Sequence, residues 1–275
     1  MKAILETQEL ILIEPAKWAA QIKSVAESII PAHGFENEDG LPCDLYGDPL
    51  QMMQVDEDGL AVVPVHGVIS SGLPSVAACF GFVDTARIQD DIASALSNSR
   101  VRAIVLDFDS PGGFVTGTPE LANYIAEVGN KLPIYSFTSG LCCSAAYWLA
   151  ASTRAILATP SSEVGSIGVY VAHQDTSALA KAMGLVVSVF RSGKYKGAGV
   201  PGTSLSEDQA ANIQSRVDSL ASLFKSAVLS HRPGIAEETM QGQTFMGYQS
   251  AGVKLTDGLV NNYEDAKKIL LGDLT

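Results

Sequence analysis

The chain has 275 residues, enough for one large core or a core with an added lobe, and 47% of them are hydrophobic. Eighteen basic against thirty acidic residues give a net charge of -12, which repels phosphate backbones and anionic lipid headgroups and argues against nucleic acid as a partner. The four cysteines lack the spacing of a zinc site or a redox dithiol, and no apolar run approaches the roughly 18 residues of a membrane span, so we expect a soluble, cytoplasmic protein without metal or cofactor.

The composition divides the chain into two regions. Residues 1–57 are predicted to form an N-terminal extension, with a helix over 16–30 that Pro31 ends and a polar, turn-rich connector over 34–49. Residues 58–275 contain the main apolar segments and are predicted to form one domain. In this region β-type apolar runs alternate with segments of helical spacing, which predicts an α/β fold with a mostly parallel sheet of βα units.

The predicted elements, in chain order, are strands over 60–65 and 67–69, a helix over 84–97, a strand over 101–108, a helix over 117–129, a strand over 132–138, a helix from Ser144, strands over 154–158 and 164–171, a helix over 177–183, a strand over 185–190, a long helix from Ser206, and a short strand, a helix and a return strand between 242 and 260. Ser206 and Gln209 form a capping box at the start of the long helix. In parallel sheets, ligand chemistry gathers at the carboxyl ends of the strands. The residues that follow strands 101–108 and 132–138 are therefore the first candidates for a site.

Ser144 lies where a buried strand gives way to a helix. Backbone N–H groups are unpaired in the first turn of a helix and the helix dipole is positive there, so an alkoxide or oxyanion near Ser144 would be stabilised. An isolated serine at such a turn is more often a plain helix cap. Whether Ser144 is a nucleophile therefore depends on the rest of the chain.

Two backbone N–H groups are candidates for an oxyanion hole. The pair Gly112-Gly113 directly follows a buried strand, and glycines let the backbone approach a ligand closely, which makes the N–H of Gly113 one candidate donor. The other is the N–H of Ala145, because the residue after a nucleophile at a helix start points its amide toward the attacked carbonyl. Tight turns between strands and helices also use glycine for packing alone.

A serine nucleophile needs a base, and the sequence offers two kinds. His173, with Asp175, allows a Ser-His-Asp triad to be written, whereas Lys194 or Lys196 in a glycine-rich loop allows a Ser-Lys dyad. A lysine in water has a pKa of about 10.4, so only about one molecule in 2,500 is neutral at pH 7. A lysine base therefore requires burial that lowers its pKa to about 7 to 8, equivalent to roughly 3 to 5 kcal/mol of differential desolvation.

Five motifs occur in an order that resembles one family of enzymes, the signal peptide peptidase A family of serine peptidases, which has a phage head-maturation branch. These motifs are VPVHGVI at 63–69, DSPGG at 109–113, SAAYWLAA at 144–151, GSIGV at 165–169 and SGKYK at 192–196. The resemblance covers about residues 60 to 265. Cys142 and Cys143 stand where the family commonly has glycine and alanine before the serine.

The resemblance implies a Clp/crotonase-type fold and peptide-bond hydrolysis, with Ser144 as nucleophile, Lys196 as general base and Gly113 as an oxyanion donor. It also implies rings of subunits, so we expect a homo-oligomer in which Lys196 can reach Ser144 of a neighbouring copy. Ser166 and Tyr195 are candidates for orienting the lysine amine. Since no membrane anchor is recognised, the resemblance favours the phage branch, which acts on capsid or scaffold proteins in the cytoplasm or the procapsid.

Three other functions remain open on the sequence. The chain could be a peptidase of the same family that degrades signal peptides or other proteins, or an oligomeric scaffold that has kept the fold without activity. An acyl-CoA hydratase or isomerase would share the architecture, but it needs acidic catalytic residues near Gly113 or Ser144 and a basic patch for the coenzyme phosphates, and the sequence suggests no such patch.

Overall fold

The computed structural model describes residues 50, 52–73 and 75–274. The helix predicted over 16–30 and the connector predicted over 34–49 lie outside these residues, and the boundary between 57 and 58 stays a prediction. The described chain forms two compact units. One consists of residues 169–223, and the other combines the described residues up to 168 with 224–274. They are called the small unit and the sheet unit below.

The sheet unit is built on a mostly parallel sheet whose main path runs β1-β2-β5-β6-β7-β10. All neighbours on that path pair in parallel except β1, which is antiparallel to β2. Beyond the end of β7, strand β8 pairs in parallel with the last residues of β6, and β9 pairs antiparallel with β8. A separate parallel pair is formed by β3 and β4. The strands are Gln54–Val55 (β1), Leu60–His66 (β2), Val68–Ser70 (β3), Phe82–Asp84 (β4), Ala103–Ser110 (β5), Ile134–Cys143 (β6), Ile156–Ala158 (β7), Glu163–Gly165 (β8), Thr244–Met246 (β9) and Gly258–Leu259 (β10).

Helices cover both faces of this sheet. The α-helices are Thr85–Ser97 (α1), Thr118–Gly129 (α2), Ala145–Ala151 (α3), Ser177–Ala182 (α4), Glu207–His231 (α5), Gly247–Ser250 (α6) and Tyr263–Asp273 (α7), with short 3-10 segments at Ser75–Phe80 and Glu237–Thr239. On one side α1 contacts β2 and α2, and α2 contacts α3 and β6. On the other side Leu60, Val105 and Tyr135 pack with Ala266 and Leu270 of α7. Burial on both faces explains why β2, β5 and β6 read as continuous apolar runs.

The structure confirms the predicted class: the chain has the mixed α/β, mostly parallel architecture expected of a Clp/crotonase-type fold. The capping box at the start of α5 is present, since the backbone N–H of Ser206 donates to Gln209 Oε1 at 3.1 Å and the N–H of Gln209 donates to Ser206 Oγ at 3.3 Å. The predicted strand, helix and return strand near the C-terminus are β9, α6 and β10.

One predicted strand is absent and another is shorter than predicted. Residues 185–190 have no regular structure, and Val186 and Phe190 are 91% and 96% exposed, because no strand of the small unit pairs with this apolar run. The strand predicted over 164–171 ends at Gly165, since Gly165 (φ 119°) and Ser166 (φ 54°) leave the extended region.

Candidate active site

Ser144 lies at a sharp turn between β6 and α3. Its backbone has φ 52° and ψ -121°, a region that costs a non-glycine residue on the order of 1 to 3 kcal/mol. The turn is held on both sides, because the N–H of Ser144 donates to the carbonyl of Gly165 at 2.8 Å and the N–H of Trp148 donates to the carbonyl of Ser144 at 3.0 Å. The hydroxyl does not cap the helix, so it is available for other chemistry.

The glycine loop after β5 lies directly against this turn. A Cβ on Gly112 would stand 2.6 Å from Ser144 Cβ and 3.0 Å from the backbone nitrogen of Ala145, and Gly112 has φ 108°, so only glycine fits there. The Oγ of Ser110, which is fully buried, accepts the N–H of Gly112 at 3.1 Å and holds the loop in place. The two predicted segments are therefore in contact within the sheet unit, and their catalytic role stays a prediction.

The loop leaves the N–H of Gly113 directed away from its neighbouring strand. Ile69 donates its N–H to Gly112 O at 2.8 Å and accepts the N–H of Phe114 at 2.9 Å, so the pairing uses groups on either side of Gly113. In a parallel bridge, the residue between the two bonded groups, here Gly113, points its own N–H and C=O away from the partner strand. The N–H of Ala145 belongs to the first turn of α3, where N–H groups have no partner within the helix. Both candidate oxyanion donors thus flank the Ser144 turn.

Helix α3 is buried along its whole length and anchored at its C-terminal end. The guanidinium of Arg232 donates to the carbonyls of Ala151 at 3.3 Å and Thr153 at 3.0 Å and pairs with Asp257. A cation at this end complements the helix dipole. The ring of Trp148 stacks on Phe224 with centroids 4.4 Å apart. Arg232 was not among the residues singled out from the sequence.

The two cysteines before Ser144 are buried, free thiols. Burial raises the pKa of Cys142 well above its ordinary value, and burial together with the nearby Glu163 raises the pKa of Cys143 to about 11. Both therefore stay protonated and act as small packing residues rather than nucleophiles.

The two candidate lysines lie in the small unit, in the turns over residues 193–199, and their surroundings differ. Lys194 Nζ lies 4.8 Å from the centroid of the Tyr195 ring and 3.2 Å from Asp208 Oδ2, and these two groups raise the pKa of Lys194. Lys196 is exposed; its backbone N–H donates to Gly193 O at 3.1 Å, and within residues 169–223 its ammonium forms no ion pair. Tyr195 therefore contacts Lys194. Of the two lysines, only Lys196 has an ammonium without an ion pair within residues 169–223.

The small unit also contains His173 and Asp175, the residues of the alternative triad. The carboxylate of Asp175 accepts the backbone N–H of Ser177 at 2.8 Å, and hydrogen bonds from Ser177 and Ser204 lower the pKa of Asp175 to about 2. The Nε2 atom of His173 is buried and has no hydrogen-bond partner in the described part of the chain. A charge interaction with His173 also lowers the pKa of Asp175, although the described residues show no hydrogen bond between the two side chains.

Among the predicted site residues, Ser144, Gly113, Ala145 and Ser166 lie in the sheet unit, and Lys196 and Tyr195 lie in the small unit. Ser166 directly follows the residue that accepts the Ser144 N–H, and its own N–H donates to the carbonyl of Gln243 at 2.8 Å. The described residues contain no group of three or more His, Cys, Asp or Glu side chains that could hold a metal ion. No helix in the described part of the chain has the length and apolar character needed to cross a membrane.

The described residues thus form a mostly parallel α/β structure with Ser144 at a strained strand-to-helix turn. The sequence model of peptidase family S49 matches residues 126–271, more than half of the chain. The chain belongs to this family.

The chain is similar to two curated phage proteins. It is 30% identical over 208 residues to the capsid assembly protease C of Escherichia phage lambda, covering 74% of this chain and 47% of that protein. It is 28% identical over 207 residues to the head-tail preconnector protein GP5 of Enterobacteria phage P21, covering 74% of this chain and 41% of that protein. The chain thus spans less than half the length of these relatives. Among solved structures, an enoyl-CoA hydratase/isomerase family member aligns with a TM-score of 0.48 and 12% identity, over 81% of this chain and 74% of that one.

Proposed function

We propose that this protein is a serine endopeptidase that hydrolyses extended protein segments with a Ser-Lys dyad, and that residues 58–275 are its peptidase domain. The observation that carries the proposal is the Ser144 turn: a non-glycine residue at φ 52° is packed against the glycine loop, with a Cβ on Gly112 only 2.6 Å from Ser144 Cβ. Strain of this kind persists where the surrounding structure enforces it, and it is frequent at active sites. Membership of a peptidase family supports the same reaction.

In the proposed mechanism, Ser144 Oγ attacks the carbonyl carbon of the scissile peptide bond while Lys196 takes the hydroxyl proton. The N–H groups of Gly113 and Ala145 stabilise the negative charge that develops on the carbonyl oxygen. Lys196 then gives the proton to the leaving amine, and water hydrolyses the acyl-enzyme to restore Ser144. Ser166 and Tyr195 help orient the amine. The substrate binds as an extended strand along the backbone edges near Gly113 and residues 166–168.

The preference for Lys196 over Lys194 has an electrostatic reason. Asp208 and Tyr195 hold Lys194 as an ammonium, which opposes the neutral form that a base needs. Lys196 has no such partner within its unit. Its exposed position requires that substrate binding or a neighbouring copy exclude water from the amine, because only desolvation brings a lysine pKa near 7 to 8.

A homo-oligomer would supply that exclusion, with Lys196 reaching Ser144 within one copy or across to a neighbour. The apolar run 185–190 supports this, since Leu185, Val186 and Phe190 are 57%, 91% and 96% exposed. Contiguous exposed apolar side chains on a protein surface mark contact sites. The proposed substrates are capsid or scaffold proteins and the proposed place of action is the cytoplasm or the procapsid; the name of the lambda relative, a capsid assembly protease, supports the capsid class.

A fluorophosphonate probe, which reacts with activated serines, tests the proposal directly. The wild-type protein should be labelled at Ser144 and should cleave casein, and Ser144→Ala should do neither while keeping its fold. His173→Ala should retain both activities. A folded wild-type chain that neither labels nor cleaves would favour the inactive scaffold instead.

A further inference from the structure

Strands β5 and β6 change register just before the Ser144 turn. Phe108 is opposite Thr138, and Ser110 is opposite Cys142. One residue of β5 therefore faces three residues of β6, so β6 carries two extra residues in a bulge. Bulges of this kind re-aim the residues that follow them and are frequent next to active sites.

The side chain of Asp109, an exposed residue, contacts the bulged segment. Its Oδ1 accepts the backbone N–H of Leu141 at 3.1 Å, a hydrogen bond between residues 32 positions apart in sequence. The same carboxylate lies so close to Gly140 that a Cβ there would stand 2.3 Å from Oδ1. The backbone of Asp109 is itself fixed, because its carbonyl accepts the N–H of Gly67 at 2.9 Å. On the β5 side the carboxylate thus bonds the bulged segment where strand pairing is interrupted, while on the other side Leu141 pairs with Glu163 of β8.

We propose that Asp109 is a positioning residue: its carboxylate fixes the course of residues 139–141 and so sets where Ser144 lies relative to the N–H groups of Gly113 and Ala145. The inference rests on the proposed function of Ser144. Three residues after Leu141 the chain reaches Ser144, and one residue after Asp109 the Ser110 hydroxyl holds the glycine loop. Two consecutive side chains of β5 therefore fix both halves of the site.

Asp109 holds residues 139–141 as a hydrogen-bond acceptor, and its negative charge is not needed for this role. Asparagine in place of Asp109 keeps an Oδ1 acceptor of the same length, whereas alanine removes it. Gly140→Ala displaces the acceptor by occupying its place. In a chain that already lacks the carboxylate, the alanine at 140 has nothing to displace, so the two changes should not add.

The experiment measures the rate of fluorophosphonate labelling of Ser144 in the full chain, together with hydrogen exchange of the Leu141 amide. Asp109→Ala and Gly140→Ala should each slow labelling by about 10- to 100-fold, the scale of a displacement of about 1 Å in an active site. Asp109→Asn should label within about threefold of wild type, and Asp109→Ala/Gly140→Ala should be no slower than Asp109→Ala. The Leu141 amide should exchange about tenfold faster or more in Asp109→Ala. Asp90→Ala, an exposed acid on α1, is the matched control and should change neither rate.

Three results would overturn the inference: wild-type labelling in Asp109→Ala, an Asp109→Asn variant as slow as Asp109→Ala, or a Gly140→Ala effect of equal size with and without the carboxylate. If Asp109→Ala fails to fold, the Asp109→Asn and Gly140→Ala variants still decide. If the wild-type chain is not labelled at all, the proposed function fails instead, and the exchange rate of the Leu141 amide still reports whether Asp109 holds the bulge.

Discussion

Replacing Arg232 by methionine tests whether the helix after Ser144 is anchored as described. The side chain of Arg232 is 9% exposed and has three acceptors: the carbonyls of Ala151 and Thr153 and the carboxylate of Asp257. Methionine retains much of the packing volume but leaves two carbonyls and a carboxylate without their donor.

The expected loss can be worked out from these contacts. Leaving a buried carbonyl without its donor costs about 1 to 3 kcal/mol, and Arg232 serves two such carbonyls, those of Ala151 and Thr153. The side chain of Asp257 is 44% exposed and its Oδ2 also accepts the N–H of Ile156 at 2.8 Å, so water and that N–H compensate part of the loss. We therefore expect the free energy of unfolding to fall by about 3 kcal/mol, most of it from the two carbonyls.

Urea unfolding followed by circular dichroism measures this change, with Arg100→Met as the matched control. Arg100 is an exposed arginine of the same unit, and its replacement should change the free energy of unfolding by no more than about 0.5 kcal/mol. A loss in Arg232→Met no larger than that of the control would refute the claim that this guanidinium anchors α3.

Two further predictions concern the glycine loop and the stability of the fold at low pH. Gly112→Ala places a Cβ 2.6 Å from Ser144 Cβ at φ 108°, so we expect the fluorophosphonate labelling rate to fall by about 100-fold or more, and a rate within threefold of wild type would contradict the packing of loop against serine. The pKa of Asp273 is held below its ordinary 3.8 by hydrogen bonds from Tyr135 and Arg154. A lowered carboxylate pKa adds stability above about pH 4 that is lost as the pH falls through the folded-state value. Asp273→Asn should therefore be less stable than wild type at pH 7, with the difference shrinking below pH 4, and a difference that stays constant with pH would contradict the assignment.

The sequence predicted the regular part of the fold because its signals are local. Apolar runs and helical spacing marked β2, β5, α1 and the capping box of α5, each of which depends on residues close together in the chain. The strand predicted to end at residue 138 continues to Cys143 because β8, more than 20 residues away, pairs with its last three residues. Residues 185–190 have the composition of a strand but no partner in their unit.

The site was predictable in its residue types but not in its geometry. The DSPGG and Ser144 motifs were recognisable, and Gly112 brings them into contact, whereas the roles of their residues stay predictions. The positive φ of Ser144 and the Asp109 hydrogen bond to Leu141 depend on contacts between distant segments, which single-sequence patterns do not report. Arg232 was missed for the same reason, since its three acceptors lie 25 to 81 residues away.

The most direct test of the account compares casein cleavage by the wild-type chain with cleavage by Lys196→Ala and Lys194→Ala. The account predicts that Lys196→Ala lowers turnover by about 10²- to 10⁴-fold, the contribution of a general base, while Lys194→Ala stays near the wild-type rate. Wild-type turnover by Lys196→Ala, or loss of turnover in Lys194→Ala alone, would contradict it.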